Sequence, residues 1–202
     1  GGHDLLHVVP SSRWDVDEPA NDLQGCPPEV ASRVRHGGFL RNTELFEHSF
    51  FSISGAEASA MDPQQRQLLE RGYGAFHAAG TAKGNLLGSI TAANVGQWAS
   101  EYSTVLTNSS AGLSVYAATG FSCAVPCGRV SFTLGLHGPC SSFDTACSAS
   151  LVANHSSTRA IQRLECESAL SAGVNMILDP GTMLGNAIAG FTSVRGRSHT
   201  FD

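Results

Sequence analysis

The chain has 202 residues, of which 42% are hydrophobic and 14% charged, and its formal net charge is −5 at pH 7. This length suffices for one domain with a sizeable core or for two small domains. The charge balance, without any basic run, argues against nucleic-acid binding. No stretch of 18 consecutive apolar residues and no secretory signal is visible, so neither a membrane span nor secretion is expected.

Residues 1–37 are predicted to be loop-like, because four prolines interrupt any long element. Within them, 11–15 has the composition of a turn, and Trp14 is predicted to pack this turn onto the body of the protein. The dense aromatic segment 45–53 follows and is predicted to be buried.

A helix start is indicated further along the chain. Ser54 or Ser59 is a candidate cap for a short helical turn. Asp62 followed by Pro63 has the pattern of a capping acid and a first-turn proline. The sequence therefore predicts a helix that begins at Pro63 and ends near Gly80.

The middle of the chain is predicted to alternate between strand and helix. Residues 85–93 have the pattern of a buried strand, 97–110 are polar and predicted to be irregular, and 116–132 have the pattern of a second helix. Pro126 within that helix predicts a kink or a break.

The last third repeats the alternation. Residues 139–145 are predicted to form a short buried strand, 146–164 a helix, and 168–178 another buried strand. The helix carries apolar residues at helical spacing: Leu151, Val152, Ile161 and Leu164. Strands alternating with helices of this length predict an α/β layered fold with a largely parallel central sheet.

Cys147 stands at the predicted strand-to-helix junction. A thiol there faces unpaired backbone N–H groups and the positive end of the helix dipole, and both stabilise a thiolate. The alternative is that Cys147 is an inert, buried structural cysteine.

The remaining cysteines do not indicate a metal site. None of the six forms a C-x-x-C pair, and no Cys/His cluster has the spacing of a zinc site. If the residues between Cys140 and Cys147 are extended, those sulfurs are roughly 20 Å apart, too far for a disulfide. Reduced thiols in a non-secreted, intracellular compartment are expected, with cytosol, mitochondrion and plastid all open.

Five blocks of sequence resemble the ketosynthase (β-ketoacyl synthase) domain of modular polyketide synthases and type I fatty acid synthases. The most specific blocks are Asp-Pro-Gln-Gln-Arg at 62–66 and Asp-Thr-Ala-Cys-Ser at 144–148. The blocks lie at 9–15, 37–40, 50–66, 144–153 and 196–202, in the order and spacing of the family.

The resemblance implies a thiolase-like layered αβαβα fold, of which this chain would form roughly the N-terminal half. It implies that Cys147 accepts an acyl chain from the phosphopantetheine thioester of an acyl carrier protein, with its own backbone N–H as one oxyanion donor. Decarboxylative condensation with a malonyl-type thioester would follow. It further implies no directly bound cofactor, and a homodimer with residues 139–144 near the two-fold axis.

Several family features are missing from the sequence. The two histidine blocks of the decarboxylation step, His-Gly-Thr-Gly-Thr and Gly-His, do not occur, and neither does the Gly-Phe-Gly loop. His137-Gly138 is followed by Pro139, and His155 is predicted to be a packed helix histidine. The chain alone is therefore not expected to form a carbon–carbon bond. A non-catalytic structural or interaction subunit, derived from a ketosynthase and covered by a larger complex, is the alternative.

Smaller departures mark a divergent sequence. Gly74 stands where the family helix usually has Glu, and His199 replaces the usual Lys. The pair Pro126-Cys127 replaces small helix-forming residues, and Cys140 stands where Ser or Ala is usual.

Overall fold

A computed structural model describes residues 4–17 and 25–198, so Pro19 and the end of the last sequence block, 199–202 with His199, lie outside the described residues. The chain divides into two compact units, one formed by Gly1–Arg41 with Met176–Asp202 and the other by Asn42–Asn175. In chain order the elements are β1 (Leu6–Val8), α1 (Pro28–Arg33), β2 (His36–Gly38), α2 (Gly55–Ala60), α3 (Pro63–Ala78), α4 (Lys83–Leu86), β3 (Thr91–Gln97), α5 (Tyr102–Thr107), α6 (Ala117–Gly120), α7 (Pro126–Leu134), β4 (Cys140–Phe143), α8 (Ala149–Gln162), β5 (Ser168–Val174) and α9 (Pro180–Ile188).

The unit that contains the chain ends has a small core between α1 and α9. Val34, Met183 and Ala187 are buried there, and Trp14 packs against them, as predicted for the turn at 11–15. The prediction of loop for residues 1–37 is wrong in part, because β1 and β2 pair antiparallel and α1 is helical. Pro28 stands in the first turn of α1, where no N–H is needed. The sequence pattern did not predict β1, because this strand is formed by pairing with β2, which lies about 30 residues further along the chain.

The larger unit is built on a three-stranded sheet in the order β4-β3-β5, and both pairings are parallel. The predicted parallel sheet is therefore confirmed. Every residue of the central strand β3 is buried. Burial on both faces is the environment that parallel strands require.

Helices cover both faces of this sheet. Ala93 and Val95 of β3 belong to the main core cluster, together with Leu69 of α3 and Val130 of α7. The alternate residues of β3 face α8, since Ala92 packs with Ala160 of that helix. Side chains alternate between the faces of a strand, so β3 separates two helical layers. The predicted layered α/β architecture is confirmed.

The predicted helix caps are largely confirmed. Ser54 Oγ accepts a hydrogen bond of 3.1 Å from the Glu57 N–H at the start of α2, whereas Ser59 lies inside that helix. Asp62 Oδ1 accepts a hydrogen bond of 2.8 Å from the Gln64 N–H at the start of α3. Helix α3 ends at Ala78, two residues before Gly80, as predicted.

In the middle of the chain the structure differs from the predicted elements at 85–93 and at 97–110. The strand predicted at 85–93 is wrong: α4 ends at Leu86, Gly88 has a left-handed backbone, and the strand is Thr91–Gln97. Its apolar residues are mostly small and are buried by the layers around it, which the sequence pattern does not reveal. The region 97–110 contains helix α5, so it is not irregular throughout.

The helix predicted at 116–132 is two helices, α6 and α7. The break predicted at Pro126 is confirmed, because this proline begins α7. In the aromatic segment 45–53, Phe51 and Ile53 are buried but Leu45 is 60% exposed, so burial of the whole segment is wrong.

Helix α8 occupies most of the predicted range, but its predicted apolar face is wrong. Leu151 is 71% exposed and Leu164, just beyond the helix, 90%. The buried residues of α8 are small: Ala149, Ala153, Ser157 and Ala160. His155 is exposed, so it is not the packed histidine that was predicted. Alanine and serine contribute little to a hydropathy pattern. The prediction therefore followed the larger apolar side chains, which lie on the exposed face.

The strands beside β3 are less buried than predicted. Strand β4 lies at one edge of the sheet and is exposed to half-buried, and β5, at the other edge, ends at Val174 rather than at 178. The six cysteines are free thiols. Within 4–17 and 25–198 there is no helix of the length and hydrophobicity needed to cross a membrane.

Candidate functional site

Cys147 lies at the junction between β4 and α8. The chain leaves the sheet at Phe143, forms one 3₁₀ turn over Ala146–Ser148, and continues directly into α8. The Cys147 side chain is exposed. The structure therefore places the predicted residue in the predicted setting, and it excludes the alternative that this cysteine is buried.

A strained turn precedes the thiol. Ala146 has φ of +53°, a left-handed conformation that costs an alanine roughly 1–2 kcal/mol. Two side chains hold the turn: Asp144 Oδ1 accepts a hydrogen bond of 3.2 Å from the Ala146 N–H, and Ser148 Oγ donates one of 2.8 Å to the Thr145 carbonyl. Aspartate commonly folds the backbone in this way. The block 144–148 is thus also a device that turns the chain sharply at the cysteine.

Two glycines let the first turn of α8 approach the sheet. Gly96 of β3 lies opposite Gly173 of β5 in the parallel register. A Cβ on Gly96 would lie 2.5 Å from the Ser150 nitrogen, and a Cβ on Gly173 would lie 2.5 Å from the Ser150 Cβ. Neither distance is sterically possible. These glycines set the position of the helix start that follows Cys147, and sequence reasoning missed them because they are distant in the chain.

Asn94 ties the same helix to the sheet at a second point. This side chain is buried in β3, and its Nδ2 donates a hydrogen bond of 3.0 Å to Ser157 Oγ of α8. A satisfied polar pair in a buried site fixes one arrangement of the two elements. The orientation of α8 therefore rests on a directional bond as well as on packing.

The second specific block, 62–66, is built into the interior. Asp62 is fully buried and accepts hydrogen bonds from the Gln64 N–H at 2.8 Å and from Ser100 Oγ at 2.6 Å. Burial raises the pKa of Asp62 above its ordinary value, and the hydrogen bonds from Ser100 and Gln64 oppose that rise. This block holds the segment after β3 against the start of α3.

Gln65 extends the same network to α6 and α7. Its Nε2 donates to the carbonyls of Thr119 and Gly120, each at 3.0 Å, and its Oε1 accepts from Arg129 Nε at 2.7 Å. Arg129 also forms an ion pair with Glu57 of α2. The specificity of the 62–66 block thus reflects a buried scaffold of hydrogen bonds.

Cys123 is a second thiol near the site, close enough to Asp144 for that carboxylate to affect its pKa. Burial raises the pKa of the Cys123 thiol, and the negative charges of Asp144 and Asp62 raise it further. A raised pKa lowers the thiolate fraction at neutral pH and with it the reactivity of this cysteine. Cys123 is therefore expected to be a weak nucleophile at neutral pH.

No group of three or more His, Cys, Asp or Glu side chains in the described part of the chain is arranged to hold a metal ion. The geometry that the chain does present is an exposed thiol at the carboxyl end of a parallel strand, at the start of a helix. That arrangement defines a class of α/β protein suited to nucleophilic thiol chemistry.

The family is shown by comparison with known proteins. The family described as "Beta-ketoacyl synthase, N-terminal domain" matches residues 1–202, and the chain belongs to this family. The family resemblance drawn from the sequence blocks is confirmed.

Curated relatives are much longer than this chain. Polyketide synthase GfsB of Streptomyces halstedii is 40% identical over 204 residues, which cover 100% of this chain and 4% of the relative. A mycocerosic acid synthase-like polyketide synthase of Mycolicibacterium smegmatis is 36% identical over 201 residues, covering 100% of this chain and 9% of the relative. The chain therefore matches only a small part of each relative.

Solved structures show the same fold. The ketosynthase from module 6 of the bacillaene synthase of Bacillus subtilis matches with a TM-score of 0.79 and 33% identity, over 95% of this chain and 30% of that one. An oxazolomycin ketosynthase domain of Streptomyces albus matches with a TM-score of 0.79 and 33% identity, over 95% and 33%. The thiolase-like fold class is confirmed, and the chain spans about a third of these ketosynthase chains.

Proposed function

We propose that this chain carries the acyl-accepting nucleophile of a β-ketoacyl synthase and that Cys147 is that nucleophile. The observation that carries the proposal is the exposure of Cys147 at the start of α8, within the family block 144–148. Exposure lets a thioester reach the sulfur, and the turn at 144–148 presents it at the start of α8.

The reaction assigned to Cys147 is transthioesterification. Its thiolate attacks the carbonyl carbon of an acyl thioester, a C–S bond forms, and the bond to the phosphopantetheine sulfur breaks. The departing thiolate takes up a proton. The Cys147 backbone N–H would donate to the developing oxyanion, an interaction worth about 3 kcal/mol in comparable enzymes.

The substrates follow from this chemistry. We assign acyl chains held as phosphopantetheine thioesters on an acyl carrier protein, with no cofactor bound directly by this chain. In the intact enzyme a malonyl-type thioester would lose CO₂, and the resulting carbanion would attack the acyl group on Cys147. The proposal for the residues of this chain covers the acyl transfer to Cys147.

The assembly proposed for the intact domain is a homodimer with residues 139–144 at the two-fold axis. Strand β4 is an edge strand of the sheet and only partly buried. An edge strand presents unpaired backbone groups that a second copy or a further segment would satisfy.

A structural or interaction subunit of a larger complex is the second candidate function. The two candidate functions predict different partner polypeptides bound to this chain. Native mass measurement and identification of co-migrating chains test this point. A companion chain that carries His-Gly-Thr-Gly-Thr supports the enzyme; companions that are only unrelated subunits of a large complex support the structural role.

Acylation of Cys147 is tested with an acyl-pantetheine thioester and peptide mass mapping. Cys140 is the comparison thiol. The residue as a whole is exposed, as Cys147 is, but its sulfur is partly buried, and this burial raises the pKa of the thiol. We expect Cys147 to be acylated at least about tenfold faster than Cys140, which corresponds to about 1.4 kcal/mol of selective stabilisation. Iodoacetamide should discriminate less, because a thiolate displaces iodide from its CH₂ carbon and no oxyanion develops at its carbonyl. Equal acylation of the two cysteines would refute an activated nucleophile.

A further inference from the structure

Cys140 and Cys127 are brought together by the sheet register. Cys140 is the first residue of β4 and lies opposite Ala93 of β3 in the parallel pairing. Residues directly opposite each other project to the same face of a sheet. Ala93 packs in the main core cluster together with Cys127 of α7. The Cys140 side chain therefore projects toward the layer that contains α7.

The electrostatics of Cys140 give the same placement. Burial raises the pKa of the Cys140 thiol, the neighbouring Cys127 thiol raises the pKa further, and Ser131 opposes the rise. The two cysteines differ in access: Cys127 is buried and Cys140 is exposed.

We propose that Cys127 and Cys140 form an oxidation-sensitive thiol pair that closes to a disulfide between α7 and β4. The free thiols are the reduced state of this pair. The proposal is independent of the acyl-transfer function, because neither sulfur belongs to the block that carries Cys147.

The oxidant that we assign is a low-molecular-weight disulfide such as oxidised glutathione. The Cys140 thiolate attacks one sulfur of this disulfide, a mixed disulfide forms, and one glutathione leaves as a thiolate that takes up a proton. The Cys127 sulfur, after losing its proton, then attacks the Cys140 sulfur and displaces the second glutathione. Two protein thiols are oxidised and one disulfide is reduced to two thiols, so the step is reversed by excess reductant.

The order of attack follows from access. In a chain whose β4 edge is not covered by a second copy, an oxidant in solution reaches the exposed Cys140 first, and the buried Cys127 serves as the resolving thiol. Because the pKa of Cys140 is raised, its thiolate is a minor species at neutral pH. The cross-linking rate should therefore increase as the pH rises toward that pKa.

The test uses the purified chain with oxidised glutathione, followed by alkylation of the remaining free thiols and digestion with trypsin and chymotrypsin. Chymotryptic cleavage after Phe143 separates Cys140 from Cys147. Fragmentation of the linked peptide distinguishes Cys127 from its neighbour Cys123. We expect a Cys127–Cys140 peptide that is lighter by two hydrogen atoms and disappears on reduction.

Variants make the assignment specific. Cys140→Ser and Cys127→Ser should each abolish the linked peptide, and Cys123→Ser, the matched control in the same segment, should retain it. If Cys127→Ser fails to fold, Cys140→Ser at the exposed position still decides the question. A Cys140 that stays a glutathione adduct, or that bonds to a second chain or to Cys147, would overturn the proposal.

Discussion

Gly96 and Gly173 lie directly opposite each other in the parallel pairing of β3 with β5, and the first turn of α8 rests against both. The pair leaves room for backbone where any side chain would collide. Since Cys147 is joined to this turn through a single residue, Ser148, the two glycines determine how closely the thiol approaches the sheet. They belong to the site although neither has a reactive group.

Gly173→Ala should destabilise the protein by about 1–3 kcal/mol, because the new methyl group would overlap the Ser150 Cβ. The measurement is the free energy of unfolding in urea. Ser150→Gly removes the atom that collides, so the double variant should lose less stability than the two single variants added together. Strict additivity would contradict the proposed contact.

Gly74→Ala should stabilise the protein by about 1 kcal/mol, because glycine in a helix interior is less favourable than alanine by that amount. A Cβ at Gly74 meets no atom within 4 Å. Gly72→Ala is the matched control in the same helix, since its Cβ would lie 3.0 Å from the Leu170 side chain. Thermal unfolding should show a gain for Gly74→Ala and a smaller gain or a loss for Gly72→Ala. Equal gains would show that the Leu170 contact does not matter.

Leu164→Gly should also stabilise the protein, by about 1 kcal/mol. Leu164 follows α8 with φ of +60°, a conformation that is strained for leucine and suits glycine. Its N–H donates to the Ile161 carbonyl at 3.0 Å, and the next N–H, of Glu165, donates to Ala160 at 2.9 Å. The leucine side chain is 90% exposed, so little packing is lost.

The control for this substitution is Leu164→Ala, which removes the same exposed surface but keeps a Cβ. It should change the free energy of unfolding by less than about 0.5 kcal/mol. A loss of stability on Leu164→Gly would show that unfolded-chain entropy outweighs the relief of backbone strain.

Asp62→Asn should change the pH dependence of stability. The folded pKa of Asp62 is raised above its ordinary value of 3.8, so the folded protein holds this proton more tightly than the unfolded chain. The contribution of Asp62 is complete below the ordinary pKa and is lost as pH rises through the folded pKa. The stability of the original protein minus that of Asp62→Asn should therefore decrease with rising pH in this window.

The comparison is made by urea unfolding at a series of acidic to neutral pH values. Taking the difference between the two proteins cancels the titration of the exposed carboxylates, which is common to both. A difference that increases with pH would mean that the hydrogen bonds from Ser100 and Gln64 outweigh burial.

The sequence correctly predicted the helix that begins at Pro63, the break at Pro126 and the parallel α/β architecture. Each rests on a local cause: a capping carboxylate, a missing N–H, or a regular alternation of elements. It failed for 85–93 and for the apolar face of α8. Both failures have one reason, because β3 and α8 meet through small residues that hydropathy barely registers.

The blocks at 62–66 and 144–148 suffice to recognise the family and to select Cys147 as the candidate nucleophile. Two features become visible only in the folded chain: Gly96 and Gly173 admit the start of α8, and Cys140 projects toward the layer that contains Cys127. These features depend on residues far apart in the chain that meet across a sheet. Their role comes from close contact between separate elements, which no local sequence pattern indicates.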